Sequence, residues 1–186
     1  LKLLKIKFDI IIISPGINVF NCKLSKFLKL NKKKIYTDLD VFFTFFKNKY
    51  ITITGTNGKS TTAKILYEVL KDQKKDVRLI GNIGNPPLNE KKISKNTIFV
   101  IEVSSYQLDY SQLFSSKYSI ILNIKPDHLE RHKTLQNYVD AKFKLLDSQS
   151  KSCLAFVKRD DVLISRKLKT KKFNSKIVKV NTKKVK

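Results

Sequence analysis

The 186-residue sequence holds no tryptophan and no methionine, and only two cysteines, two histidines, four prolines and five glycines. Cys22 and Cys153 lie far apart and in no metal-ligand spacing, so neither a disulfide framework nor a thiolate metal site is expected, and a reducing, cytoplasmic compartment is the simpler inference. No apolar run approaches the roughly 20 residues of a membrane span. The first residues are apolar, but Lys5, Lys7 and Asp9 interrupt them and no small-residue cleavage site follows, so no secretory leader is expected. The missing initiator methionine suggests a chain that begins inside a longer protein.

Acidic residues are also scarce: 15 Asp and Glu stand against 39 Lys and Arg, a net charge of +24. Such a charge ordinarily points to nucleic acid or an anionic surface. Here the excess is nearly all lysine, is spread over the whole length, and accompanies abundant Ile, Asn and Phe. That is the drift of an AT-rich coding sequence, and no basic motif interleaved with aromatics is visible. A basic nucleic-acid-binding module is therefore the weaker alternative, to be recognised by tight DNA or RNA binding with a steep salt dependence.

What the chain does have is a strand, a glycine loop and a helix in immediate succession. Ile51, Thr52, Ile53 and Thr54 read as a buried β-branched strand. Gly55 and Gly58 break it, and Ile65, Leu66, Val69 and Leu70 fall at helical spacing. Gly55-Thr56-Asn57-Gly58-Lys59-Ser60-Thr61 then has the parts of a phosphate cradle: backbone N–H groups that can approach oxygens, a helix N-terminus, the mobile cation of Lys59, and a Ser60 hydroxyl within reach of Mg²⁺. Ile53 occupies the position where the general phosphate-loop pattern has its first glycine, which leaves an ordinary strand-to-helix turn as the plainer reading.

Strands are expected at 76–80, 97–103, 118–124 and 152–157, with helices after the loop and near 105–114 and 134–149. This alternation predicts an α/β fold, a mostly parallel sheet with helices on both faces, whose ligands bind beyond the carboxyl ends of the strands. Upstream, 8–14 reads as a central parallel strand closed by Pro15-Gly16, 23–30 as a basic helix, 34–36 as a short strand, and Asp38 as the cap of an apolar helix. The expected division is therefore residues 1–47, the remnant of a Rossmann-like unit, and residues 48–186, a P-loop-type central domain incomplete at its C-terminal end. The basic stretch after 157 reads either as strands of an unfinished subdomain or as a frayed end.

Three further residues carry chemistry. Glu102 ends an apolar strand, where a carboxylate is costly unless it faces a ligand or metal. His128 follows the next strand in Asp127-His128-Leu129-Glu130-Arg131-His132 and is either a metal ligand or a structural histidine, while His132 reads as a surface or capping residue. Lys142, on a helix, is by itself one more solvated lysine.

Thr54–Thr61, Gly81-Asn82-Ile83-Gly84, Glu102–Leu108, Asn123–Arg131 and Tyr138–Lys142 stand in the order and approximate spacing of the Mur ligases, and the chain resembles that family over roughly residues 8–160. Ser14-Pro15-Gly16-Ile17, Gly81–Gly84 and the Ser104–Leu108 segment are most similar to the branch that adds D-glutamate. The resemblance implies an ATP-dependent amide ligase of peptidoglycan synthesis, monomeric and not bound to membranes. In it the carboxylate of UDP-N-acetylmuramoyl-L-alanine attacks ATP to give an acyl phosphate, which D-glutamate then captures. It further implies that Lys59 neutralises phosphate charge, that Ser60 and Glu102 hold one Mg²⁺, and that His128 holds a second with Lys142 carrying a carbamate. Asn82 would sit near the nucleotide, while Ser14, Pro15, Gly16, Ser104, Gln107, Arg131 and Tyr138 would face or support the substrate.

Lys158-Arg159 departs from the family pattern, and the family's first glycine loop and C-terminal domain are not in the sequence. The expectation is a fragment that binds nucleotide weakly without ligating. A sister ligase with another amino-acid substrate, or a folate polyglutamylating relative, is the alternative within the enzyme class.

Overall fold

The β-branched run Lys49–Thr54 forms β3, and a computed structural model describing residues 6–181 places it inside a sheet of six parallel strands. Upstream stand β1 (Ile11–Ile12), α1 (Ser25–Leu30), a 3-10 turn at Lys32–Lys34, β2 (Ile35–Tyr36) and α2 (Asp38–Phe45). After β3 follow α3 (Lys59–Asp72), β4 (Val77–Gly81), β5 (Ile98–Glu102), α4 (Ser105–Tyr110) and β6 (Tyr118–Ile121). The chain continues through α5 (Leu129–His132), α6 (Leu135–Asp147), β7 (Leu154–Lys158), α7 (Val162–Thr170) and β8 (Lys176–Val180).

The sheet order is β4-β5-β3-β6-β7-β8, and β1 pairs with β2 in a separate parallel sheet. Register brings strand ends to one rim: Ile53 lies opposite Glu102, Thr54 opposite Ile121, and Gly81 opposite Glu102. Parallel strands demand crossovers, and these cover both faces. Ile53, Val77 and Val100 face α3 through Ala63 and Leu66. Phe99, Ile101 and Ile80 face the other way, into a cluster with Leu108 of α4 and Val139, Phe143 and Leu146 of α6. The expected α/β architecture is the one observed.

Helix α2 packs into that second cluster. Phe42 meets the Phe99 ring edge-on at 5.1 Å, and Phe43 meets Tyr50 at 4.3 Å and Phe114 at 4.2 Å. Burying each such ring contributes roughly 1.5–3 kcal/mol, so α2 is fastened to the central sheet across the division expected between residues 47 and 48.

Several local expectations change. The cap of α2 is Thr37, not Asp38; Thr37 and Asp40 form a reciprocal capping box, because a side chain one residue outside the helix is the one that can reach its free amides. The run at 8–14 yields only two strand residues, with Ile10 and Ile12 exposed, since among the described residues β2 alone pairs with it. Between 158 and 181 the chain is neither frayed nor a separate subdomain: α7 packs Ile164 into the core and β8 extends the main sheet beside β7. The short helix α5 occupies what reads as loop. Residues 1–5, considered above as a leader, lie outside the described residues. Among the described residues no helix is long and apolar enough to cross a membrane, and Cys22 and Cys153 are both free.

Candidate functional site

Where β3 ends, the chain turns through Gly55–Gly58 into α3. Gly58, with φ +83, is the left-handed residue before the helix, and no side chain caps that end. The first amides of any helix lack intrahelical partners. An uncapped helix start therefore leaves these donors facing the loop, the arrangement that suits a phosphate or other anion. Lys59 Nζ bends back to donate to the Thr56 carbonyl at 2.9 Å.

At the second residue of α3, Ser60 Oγ donates to Glu102 Oε2 at 2.8 Å. Glu102 is 1% exposed, and its other oxygen accepts from Asn82 Nδ2 at 3.2 Å. Asn82 is held there by its own amide, which donates to the Glu102 carbonyl at 2.9 Å. The approach requires glycine at 81: φ is +109, and a Cβ there would stand 2.2 Å from the Glu102 carbonyl oxygen. The Gly81-Asn82 segment thus lies flat against the end of β5 because its first residue has no side chain.

The loop after β6 closes the other side. Asn123 accepts from the Asn57 amide at 2.9 Å, donates to the Asn57 carbonyl at 2.9 Å, and offers its own carbonyl to the Thr56 amide at 2.8 Å. Thr56 Oγ1 lies 3.0 Å from Tyr138 Oη. Tyr138 is buried, and that burial raises its phenol pKa.

Lys142 is not solvated. It is 1% exposed, donates to the Gly55 carbonyl at 2.8 Å, and has its Nζ 4.6 Å from the centre of the Tyr138 ring. Burial, then the neighbouring Lys59 cation, lower its pKa to about 7, against an upward pull from Asp127. A substantial share of this amine is therefore neutral near pH 7. His128 borders the same Tyr138 ring at 6.3 Å and is half-exposed, with φ +53. A non-glycine residue held in this region is strained, a feature that clusters at functional sites. Its Nε2 lies 3.4 Å from Asp127 and its Nδ1 3.7 Å from Glu130.

Could these residues hold a divalent cation? Among the described residues no three His, Cys, Asp or Glu side chains converge on one point. A hard cation such as Mg²⁺ does not need them to, since it keeps waters and binds through one or two carboxylates, a hydroxyl and the oxygens of a bound phosphate. The buried Glu102 carboxylate beside the Ser60 hydroxyl, at the mouth of an uncapped helix, fits that donor set.

The sequence-derived candidates divide into two groups. Gly55–Thr61, Asn82, Glu102, His128, Tyr138 and Lys142 gather around the loop. Ser104 and Gln107 are engaged with each other as the cap of α4, the Ser104 amide donating to Gln107 Oε1 at 2.9 Å. Ser14, Pro15 and Gly16 lie in a separate turn, which the Arg131 guanidinium reaches. His132 is buried rather than at the surface: its Nε2 lies 3.0 Å from Ser105 Oγ, and burial lowers its pKa. Sequence reading passed over Asn123 and Asp127 as individual site residues. Position alone, directly after a strand that ends on the loop's rim, was their signal.

Comparison with known proteins follows the same outline. The model of the Mur ligase middle domain matches residues 53–186. The UDP-N-acetylmuramoylalanine–D-glutamate ligase of Rickettsia bellii is 39% identical over 154 residues, which is 82% of this chain and 34% of the relative. The enzyme of the same name from Caldicellulosiruptor bescii is 42% identical over 146 residues, 76% of this chain and 31% of the relative. The chain thus spans about a third of the length of these relatives. Among solved structures, the Neisseria UDP-N-acetylmuramate:L-alanyl-gamma-D-glutamyl-meso-diaminopimelate ligase matches with TM-score 0.64 at 14% identity, over 96% of this chain and 60% of that one. The Thermotoga maritima MurF ligase, solved with ADP, matches with TM-score 0.60 at 18% identity, over 88% of this chain and 38% of that one.

Proposed function

The chain belongs to the Mur ligase family, and from that premise we propose that it carries the ATP-binding middle domain of a cytoplasmic ligase that joins D-glutamate to UDP-N-acetylmuramoyl-L-alanine in peptidoglycan synthesis. Residues 1–47 belong in this reading to the unit that holds the UDP-sugar, and residues 48–186 to the ATP domain. The observation that carries it is the buried Glu102 carboxylate bonded to Ser60 at the mouth of the glycine loop. A carboxylate in that position is costly unless a cation or ligand group answers it.

The α3 amides and Lys59 bind the β- and γ-phosphates, whose charge they offset. Lys59 must leave the Thr56 carbonyl to do so, a hydrogen bond worth about 1 kcal/mol net. Ser60 with Glu102 holds one Mg²⁺, and His128 with Lys142 a second. Bound there, Mg²⁺ would supply charge stabilisation to the phosphoryl oxygens. Asn82 keeps Glu102 oriented, and Tyr138 keeps Thr56 and the loop in place.

Lys142 serves this second site as a carbamate. Its neutral Nζ adds to the carbon of CO₂ and one proton leaves to solvent, so that a neutral amine becomes an anionic oxygen ligand. The depressed pKa supports this, because only the neutral amine has the lone pair to attack. The acyl phosphate formed from the UDP-linked substrate is then opened by the amine of D-glutamate, which releases phosphate.

Equilibrium dialysis of ADP with Mg²⁺ tests the reading. Wild type is expected to bind, and Lys59→Ala to weaken binding by about tenfold or more, as loss of a charge-assisted phosphate contact does. Equal binding by the two proteins would overturn the assignment of the loop.

A further inference from the structure

One arginine reaches from the loop that carries His128 to the turn that carries Ser14. The Arg131 guanidinium lies between two tyrosine rings of α4, 5.0 Å from the centre of Tyr106 and 4.9 Å from that of Tyr110. Its Nη2 donates to the Pro15 carbonyl at 3.2 Å and to the Ile17 carbonyl at 2.9 Å. The turn is closed by the Ile17 amide on the Ser14 carbonyl at 3.0 Å. Two residues on, the Val19 amide donates to Tyr110 Oη at 3.1 Å. The same tyrosine that stacks on the arginine therefore also holds the chain leaving the turn.

The loop end of this contact is fixed without the arginine. Tyr106 Oη donates to Glu130 at 3.2 Å, Asn137 Nδ2 donates to the His132 carbonyl at 2.8 Å, and His132 meets Ser105. The turn has less to hold it: β1 is two residues long, Ile17 is exposed, and two of the turn's four carbonyls are held by Arg131 itself. When the contact breaks, the turn is the part free to move.

The geometry points to Arg131 as a positioning residue that sets the Ser14–Ile17 turn, and with it the UDP-sugar substrate, at a fixed distance from the phosphate loop. This rests on the ligase reading above and adds a role to it. Arg131 orients backbone on the substrate side without touching reacting atoms. Its planar fork lies over two rings while one arm, Nη2, donates to two carbonyls, a combination of stacking and hydrogen bonding that a lysine ammonium does not reproduce.

Two measurements on the intact chain test it. The first is amide exchange in wild type, Arg131→Lys and Tyr110→Phe. Losing the fork is expected to speed exchange across residues 14–20 by about tenfold or more, the equivalent of one to two hydrogen bonds, with β3 and β5 unchanged. Unchanged exchange at 14–20 in a folded Arg131→Lys protein overturns the proposal, and Arg131→Gln supplies the same comparison if that variant does not fold. Tyr110→Phe keeps the arginine, removes only the acceptor of the Val19 amide, and is expected to speed exchange at Val19 alone.

The second measurement is a binding split. Arg131→Lys is expected to weaken UDP-N-acetylmuramoyl-L-alanine about tenfold or more while leaving ADP with Mg²⁺ within about twofold of wild type. A matched loss of both ligands, or of neither, overturns it. A wild type that binds neither ligand defeats the ligase reading itself, and amide exchange then decides the coupling alone.

Discussion

Lys142 Nζ stands 2.8 Å from the Gly55 carbonyl oxygen, so α6 is tied to the phosphate loop by a group almost wholly out of water. Its pKa of about 7 lies below the ordinary lysine value of 10.5. Between those values the unfolded chain holds a proton that the folded chain has released. Stability attributable to this group therefore rises with pH across that window and is lost as pH falls through 7. Lys59 and Asp127 are the charged groups facing it. Urea unfolding at pH 6.5 and 9.5 should show a gain of about 3 kcal/mol in wild type that Lys142→Met lacks.

Glu102→Gln keeps the size of the side chain and an oxygen for Ser60, but removes the charge. ADP affinity measured with Mg²⁺ should fall by about tenfold or more, whereas affinity in the presence of a chelator should change little. An equal fall in both conditions would mean that Glu102 acts on the nucleotide without the ion.

Gly81→Ala sets a methyl group 2.2 Å from the Glu102 carbonyl oxygen at a φ of +109. The segment must lift from β5 and carry Asn82 with it. A loss of about 2–4 kcal/mol in thermal or denaturant unfolding is expected, along with weaker ADP binding.

Asp40, buried at the start of α2, accepts from the Ser111 hydroxyl at 2.6 Å and from the amides of Gln112 at 3.0 Å and Leu113 at 2.8 Å. Asp40→Ala leaves these three donors and the Thr37 amide of the capping box without their acceptor and should cost about 3 kcal/mol or more, while Ser111→Ala removes one bond and should cost about 1 kcal/mol. Chemical denaturation of both proteins checks the ratio.

Periodicity made the central sheet readable. β-branched and aromatic runs separated by helical spacing mark β3, β5, β6 and β7 to within a few residues. The loop was legible for the same reason: Gly55, Gly58, Lys59 and Ser60 are contiguous, so their chemistry needs no tertiary knowledge. Lys142 and Glu102 were harder. Nothing local distinguishes Lys142 from the many solvated lysines around it, and only the packing of α6 against Tyr138 and Gly55 withdraws it from water. His132 misled for the converse reason, since a histidine in a charged segment looks exposed until Ser105 of α4 is found beside it. The β8 strand was masked by its lysines, which sit on an edge and so escape the apolar pattern expected of a central strand.

That edge has a consequence for how the molecule keeps to itself. β8 hydrogen-bonds to β7 along one side, and among the described residues nothing pairs with the other. A bare row of amides and carbonyls invites a foreign strand, and the exposed Val180 adds to the invitation. Lys176 and Lys179 stand exposed on this border, so a second molecule joining there in register would bring ammonium groups against ammonium groups. The lysines of β8 thus oppose in-register pairing of two such edges, and do so less well as salt concentration rises.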